Sequence, residues 1–117
     1  MKKAVFIVLS NPTDEAQEAE FNQWYDNVHL GDVLQTPGIV RATRYRLTGS
    51  RPKDGRGKYL ALYEIEAEDP AGIFAVMQET LKRRGEEGSL ISHPALAVAT
   101  FGTYEQIGET RVSPICS

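Results

Sequence analysis

The residues whose types and spacing suit chemistry are concentrated in one stretch, "FNQWYDNVHLGD", which holds the only Trp, a Tyr and one of the two His of the chain. Imidazole is the side chain whose unperturbed pKa lies nearest neutrality, so a histidine held in an aromatic setting stays neutral and can take a proton at physiological pH. A tyrosine hydroxyl beside it can donate to a developing enolate or phenolate oxygen. Tyr25 precedes His29 by four residues, so a helix that continues to His29 puts both on one face, and Asp32, three further on, can orient the imidazole. The plainer reading of the same residues makes Trp24 and Tyr25 core, and His29 a polar helix-end residue favoured by the dipole.

Either reading needs a helix laid on a sheet, and the surrounding pattern supplies both. "KAVFIVLS" is rich in β-branched and aromatic residues and stops at Asn11 and Pro12, which predicts a buried first strand. Asp14 offers an N-cap with Gln17 at capping-box spacing, and a helix is expected from about Asp14 to Val28. Its stripe is Phe21, Trp24, Tyr25 and Val28. Gly31 is expected to bend the chain, "DVLQT" to add one turn, and Pro37 and Gly38 to end it.

"IVRATRYRL" follows as a strand, with Ile39, Arg41, Thr43, Tyr45 and Leu47 on one side and Val40, Ala42, Arg44 and Arg46 on the other. "TGSRPKDGRG" is a hairpin loop whose Arg51, Lys53 and Arg56 either clasp an anion or are simply solvated. "KYLALYEIEA" starts apolar on both faces, as a central strand covered on both sides does. Asp69 and Pro70 then open a second helix with a stripe of Ile73, Phe74, Met77 and Leu81. Lys82, Arg83 and Arg84 load its end, and Gly85 is the expected C-cap. "GEEGSLISHP" reads as a loop and "ALAVATFGTYEQI" as a last strand with a bulge at Gly102.

The order β-α-β-β-α-β describes one α+β domain over residues 1–117. It is a ferredoxin-like unit with a four-stranded antiparallel sheet and both helices on one face. Nothing in the chain covers the other face, which is expected to hold apolar side chains, so a homodimer stacking sheet on sheet is the economical solution. A net charge of −3 argues against nucleic acid as the main partner. The apolar run near the N-terminus is too short for a secretory leader, and no stretch approaches a membrane span. The lone Cys116 offers no disulfide framework, so a cytoplasmic location is expected. With two distant histidines and no H-E-x-x-H or paired cysteine, a metal site is not expected. Nor is there a phosphate-cradling glycine loop or a nucleophile elbow.

A strand, a helix carrying "FNQWYDNVH" and then "LQTPGIVRATRY" together resemble the dimeric α/β-barrel superfamily, most closely its EthD-like branch. That resemblance implies a pocket between the helix layer and the concave sheet face, with His29 near its mouth. It implies His29 as base, with Tyr25, Tyr45 or Tyr63 as the partner acid. Trp24, Tyr63, Arg44, Phe6 and His93 are then the candidate substrate-binding residues. Each has a structural alternative: packing for Trp24, a strand start for His93, solvation for Arg41 and Arg44. The implied activity is cofactor-independent acid/base chemistry on a hydrophobic, oxygenated small molecule, a cyclisation, isomerisation or lyase step. A cofactorless monooxygenase and a non-catalytic ligand-binding or accessory protein are the alternatives.

Overall fold

A computed structural model describes residues 1–49 and 57–115. The loop cations Arg51, Lys53 and Arg56, and Cys116, lie outside the described residues. Four strands, β1 (Lys2–Pro12), β2 (Ile39–Arg46), β3 (Tyr59–Ala67) and β4 (Leu96–Glu105), form one sheet in the order β2-β3-β1-β4. Every pairing is antiparallel. The helices α1 (Glu18–Trp24), α2 (Leu30–Val33) and α3 (Ile73–Glu86) pack on one face, giving the expected ferredoxin-like unit.

The face beneath the helices is built by Ala4, Phe6 and Ser10 of β1 and by Tyr59, Ala61, Tyr63 and Ile65 of β3, all buried. Phe6 and Tyr63 are cross-strand partners at its centre, and Phe21, Trp24, Tyr25 and Val33 close over it from the first helix. The opposite face carries Val5, Ile7 and Leu9 beside Leu60 and Leu62, all half-exposed, so β3 is central in the sheet but covered on one side only.

Two bulges correct the expected strand faces. In β2 the register slips between Ile39 and Arg41, so Ile39 shares the helix-side face with Ala42 and Arg44, while Arg41, Thr43 and Tyr45 point away. In β4 the extra residue falls at Ala99, where Leu9 pairs with Thr100 but Ser10 with Val98. Gly102 is in regular register opposite Ile7. A bulge changes which side chains meet the core without changing the strand's composition, so hydrophobic alternation alone does not locate it.

The first helix also differs from expectation. Asp14 caps it by accepting from Ala16 N–H at 2.9 Å, while the N–H of Gln17 goes to the Asp14 carbonyl. The chain then passes through α1, a π-helical turn at Tyr25–His29, and α2 without interruption. Gly31 lies inside α2 and bends nothing. At the far end α3 runs past Gly85 to Glu86. The left-handed residue is Gly88, φ 103°, with Ser89 N–H reaching back to the Arg84 carbonyl at 2.9 Å and Gly88 N–H to that of Gly85 at 3.1 Å. That is a Schellman ending three residues later than the basic cluster suggested.

Among the described residues no helix is long and apolar enough to cross a membrane. Gly88→Ala meets no neighbour and is expected to lower stability by about 1 kcal/mol through backbone strain alone. Gly38→Ala, at φ 96° with its Cβ 2.7 Å from Ile73 Cδ1, is expected to cost about 2 kcal/mol or more. Urea denaturation of the two variants measures the difference.

Candidate functional site

The π turn builds the site. The N–H of Leu30 bonds to the carbonyl of Tyr25, five residues back instead of four. At the α-helical rotation of about 100° per residue, side chains five apart diverge by about 140°. Widening the turn swings His29 back over Trp24, and the two rings stack at 4.7 Å with an interplanar angle of 19°. Tyr25 meets the same imidazole in a T-shaped contact at 4.9 Å and 87°. The indole is itself pinned, its Nε1–H donating to the Leu90 carbonyl at 2.7 Å.

On its open side His29 lines a cavity of about 220 Å³ with Tyr25, Phe6, Tyr63, Phe74 and Met77. Val8, Val33, Leu81, Leu96, Val98 and Phe101 complete the wall. Phe101 stacks on Phe74 at 5.1 Å, and Phe101 and Val98 remain exposed at the rim. Two polar atoms of this lining, His29 Nδ1 and the Tyr63 hydroxyl, are buried and without a hydrogen-bond partner.

Burial controls the ionisation of all three polar groups. Desolvation lowers the His29 pKa to about 4, opposed by the Asp32 carboxylate and assisted by Arg44. Desolvation likewise raises both phenols, Tyr63 the more strongly. The Tyr63 hydroxyl also faces that of Tyr25, an interaction that raises Tyr63 further and partly offsets the rise of Tyr25, although no partner meets Tyr63 at full hydrogen-bond geometry. At neutral pH the site therefore holds a neutral imidazole and two protonated phenols.

The remaining candidates take other places. Arg44 lies on the helix side of β2 but is already engaged, donating to Asn22 Oδ1 at 2.8 Å and Asp26 Oδ1 at 2.9 Å while its guanidinium covers the Tyr25 ring at 4.3 Å. It clamps the first helix to the sheet edge, behind the cavity wall. Tyr45 is 53% exposed on the opposite sheet face, which the β2 bulge decides, and does not meet His29. Arg41 forms a bidentate pair with Glu64 on that outer face. His93 is buried against Trp24 and Phe21, where its Nδ1 accepts from Ala95 N–H at 3.0 Å, and it does not reach the cavity. Trp24 backs His29 without lining the cavity.

Asp32 is buried, and its oxygens accept from Arg84 Nε at 2.9 Å and from the Ser89 hydroxyl, so it ties α2 to the end of α3 instead of bonding the imidazole. Of the lining, Phe74, Met77 and Leu81 were legible only as a core stripe, and Val98 and Phe101 carried no chemical signal at all. Among the described residues no group of three or more metal-ligating side chains occurs.

The His29 environment makes stability depend on pH. Its folded pKa of about 4 lies below the ordinary 6.5, so as pH falls through 6.5 the unfolded chain takes up a proton that the folded chain refuses. Stability is retained above about 6.5 and is expected to fall by roughly 2–3 kcal/mol down to about pH 4 on account of this residue. His29→Leu is expected to flatten that decline. Denaturant midpoints for both proteins across this range give the comparison.

No protein-family model matches the sequence, and no curated protein is similar to it above threshold. Solved structures are. HapK from Hahella chejuensis is 21% identical, with 94% of this chain and 98% of that one aligned at a TM-score of 0.62. An ethyl tert-butyl ether D (EthD) family protein from Bacillus halodurans C-125 is 20% identical over 92% and 100% of the two chains, TM-score 0.54. A dimeric ferredoxin-like protein from an uncultured marine organism is 10% identical over 94% and 100%, TM-score 0.64. The chain thus shares the ferredoxin-like fold of these EthD-like and ferredoxin-like proteins.

Proposed function

We propose that this protein processes a hydrophobic, oxygen-bearing small molecule by cofactor-independent acid/base chemistry, with His29 as base and Tyr63 as hydrogen-bond donor. The observation that carries the reading is the pair of unpartnered buried polar atoms, His29 Nδ1 and the Tyr63 hydroxyl, on the wall of one apolar cavity. Buried polar groups in folded proteins are normally satisfied, and an unpartnered ring nitrogen and hydroxyl on two residues that line the same cavity suit a ligand that supplies both partners. The neutral imidazole removes a proton from a carbon or hydroxyl acid, and the phenol, held protonated by burial, stabilises the oxyanion that forms. Tyr25 orients the imidazole edge-on and is the second phenol within reach. A cyclisation, isomerisation or lyase step each begins with this proton transfer.

One observation favours a second reading, non-catalytic ligand binding: an imidazole with a pKa of about 4 has little driving force as a base. Exchange of the α-protons of simple cyclic ketones in deuterated water, followed by NMR, separates the two. His29→Ala is expected to slow exchange by about 10²–10⁴-fold. Tyr63→Phe is expected to slow it by about 10²-fold. Exchange that His29→Ala leaves untouched, with ligand affinity intact, would establish the binding reading in its place.

We further propose that the half-exposed outer face of Val5, Ile7, Leu9, Leu60 and Leu62 is buried against a second copy of the chain. A protein named as a dimeric ferredoxin-like protein shares the fold, which supports the reading. Light scattering at micromolar concentration is expected to give twice the 13.0 kDa mass of one chain, and Leu62→Lys to give the single mass with unchanged circular dichroism. A wild-type mass of one chain would exclude it.

A further inference from the structure

Among the described residues twelve line the cavity, none of them is charged, and the only polar ones are Tyr25, His29 and Tyr63. We infer that the site accepts an uncharged molecule built on a single ring, with one hydrogen-bonding oxygen at its inner end, and excludes carboxylates and phenolates of the same size. The inference rests on this cavity being the functional site, but not on catalysis.

Size sets the single ring. An apolar cavity of about 150 Å³ holds one benzene, and pockets for drug-sized ligands begin at about 300 Å³. A cavity of about 220 Å³ therefore takes one ring and a short substituent. The aromatic walls, Phe6 stacked with Tyr63 at 6.1 Å and Phe74 with Phe101 at 5.1 Å, suit a flat molecule entering at the Phe101 rim.

Charge exclusion follows from what surrounds the wall. The cations and anions nearby are already paired away from the cavity. The Arg44 guanidinium lies behind the Tyr25 ring with Asn22 and Asp26, and Asp32 is held by Arg84 and Ser89. Among the described residues no free cation lines the cavity to meet a bound anion, which would lose its hydration there, and removing a charge from water is repaid only by close pairing. His29 does not serve as counter-ion at neutral pH, because burial keeps it unprotonated down to about pH 4. A neutral ketone or hydroxyl asks only for the two groups of the lining that lack a full partner, the Tyr63 hydroxyl and His29 Nδ1.

Acetophenone and benzoate match in size and differ in charge. Calorimetric titration at neutral pH, with the fluorescence of Trp24, the only tryptophan and stacked on His29, as a local reporter, is the test. Acetophenone is expected to bind saturably and benzoate at least tenfold more weakly. 4-Nitrophenol, which ionises near neutrality, is expected to lose tenfold in apparent affinity per pH unit above its own ionisation, because only the neutral fraction binds. Val98→Arg puts a cation at the exposed rim of the wall and is expected to raise the ratio of benzoate to acetophenone affinity at least tenfold. Benzoate binding as tightly as acetophenone to the unaltered protein, undiminished binding of the nitrophenolate, or binding of neither neutral probe would each overturn the inference. Ketone exchange that fails while the preference for neutral probes holds would remove the catalytic reading alone.

Discussion

One hydrogen bond, from Leu30 N–H to the carbonyl of Tyr25, organises the middle of this molecule. It is one residue longer than an α-helical bond, and it brings three aromatic contacts into register: indole stacked on imidazole, and the phenol of Tyr25 T-shaped to both. A regular α-helix would point Trp24 and His29 to different sides, leaving one of them in solvent. The wider helix turn forgoes regular hydrogen bonding over a few residues and gains a rigid imidazole, which recurs at functional sites in other folds.

The rigidity is reinforced from outside the cavity by groups that never touch it. Arg44 spreads its guanidinium across Tyr25, with Tyr59 at 5.1 Å, and ties itself to Asn22 and Asp26. Tyr59 continues the network by accepting from Asn22 at 3.1 Å and donating to Glu18, which also pairs with Lys58. On the other side Asp32 joins α2 to the Schellman ending of α3 through Arg84 and Ser89. Most of these polar side chains are engaged with one another around the rim of the first helix, and the cavity lining beneath it is apolar apart from Tyr25, His29 and Tyr63.

The two faces of the sheet divide the labour. The helix side encloses the cavity. The outer side exposes a strip of aliphatic side chains bounded by the Arg41–Glu64 pair, a surface that limits pairing to a partner able to match both features. The β2 bulge allots residues to these two sides: it directs Arg44 inward as a clamp and Tyr45 outward, away from the imidazole.

Much of this was legible from residue type and spacing. Alternating and β-branched runs placed four strands, and the stripes Phe21-Trp24-Tyr25-Val28 and Ile73-Phe74-Met77-Leu81 oriented both helices, because burial of one face is a local, periodic property. The neighbourhood of Tyr25 and His29 was equally visible, since four residues along any helix keep two side chains adjacent. What the sequence left open depends on contacts between segments distant in the chain. The two bulges, the π turn, the shift of the helix end from Gly85 to Gly88, and the placing of Tyr63 on the cavity wall but Tyr45 on the outer face each change a register or a turn by one or a few residues. Such shifts barely alter local propensity. Only packing of the helix against Phe6 and Tyr63 makes one register much lower in free energy than the next, so tertiary structure decided which tyrosines line the cavity beside the histidine.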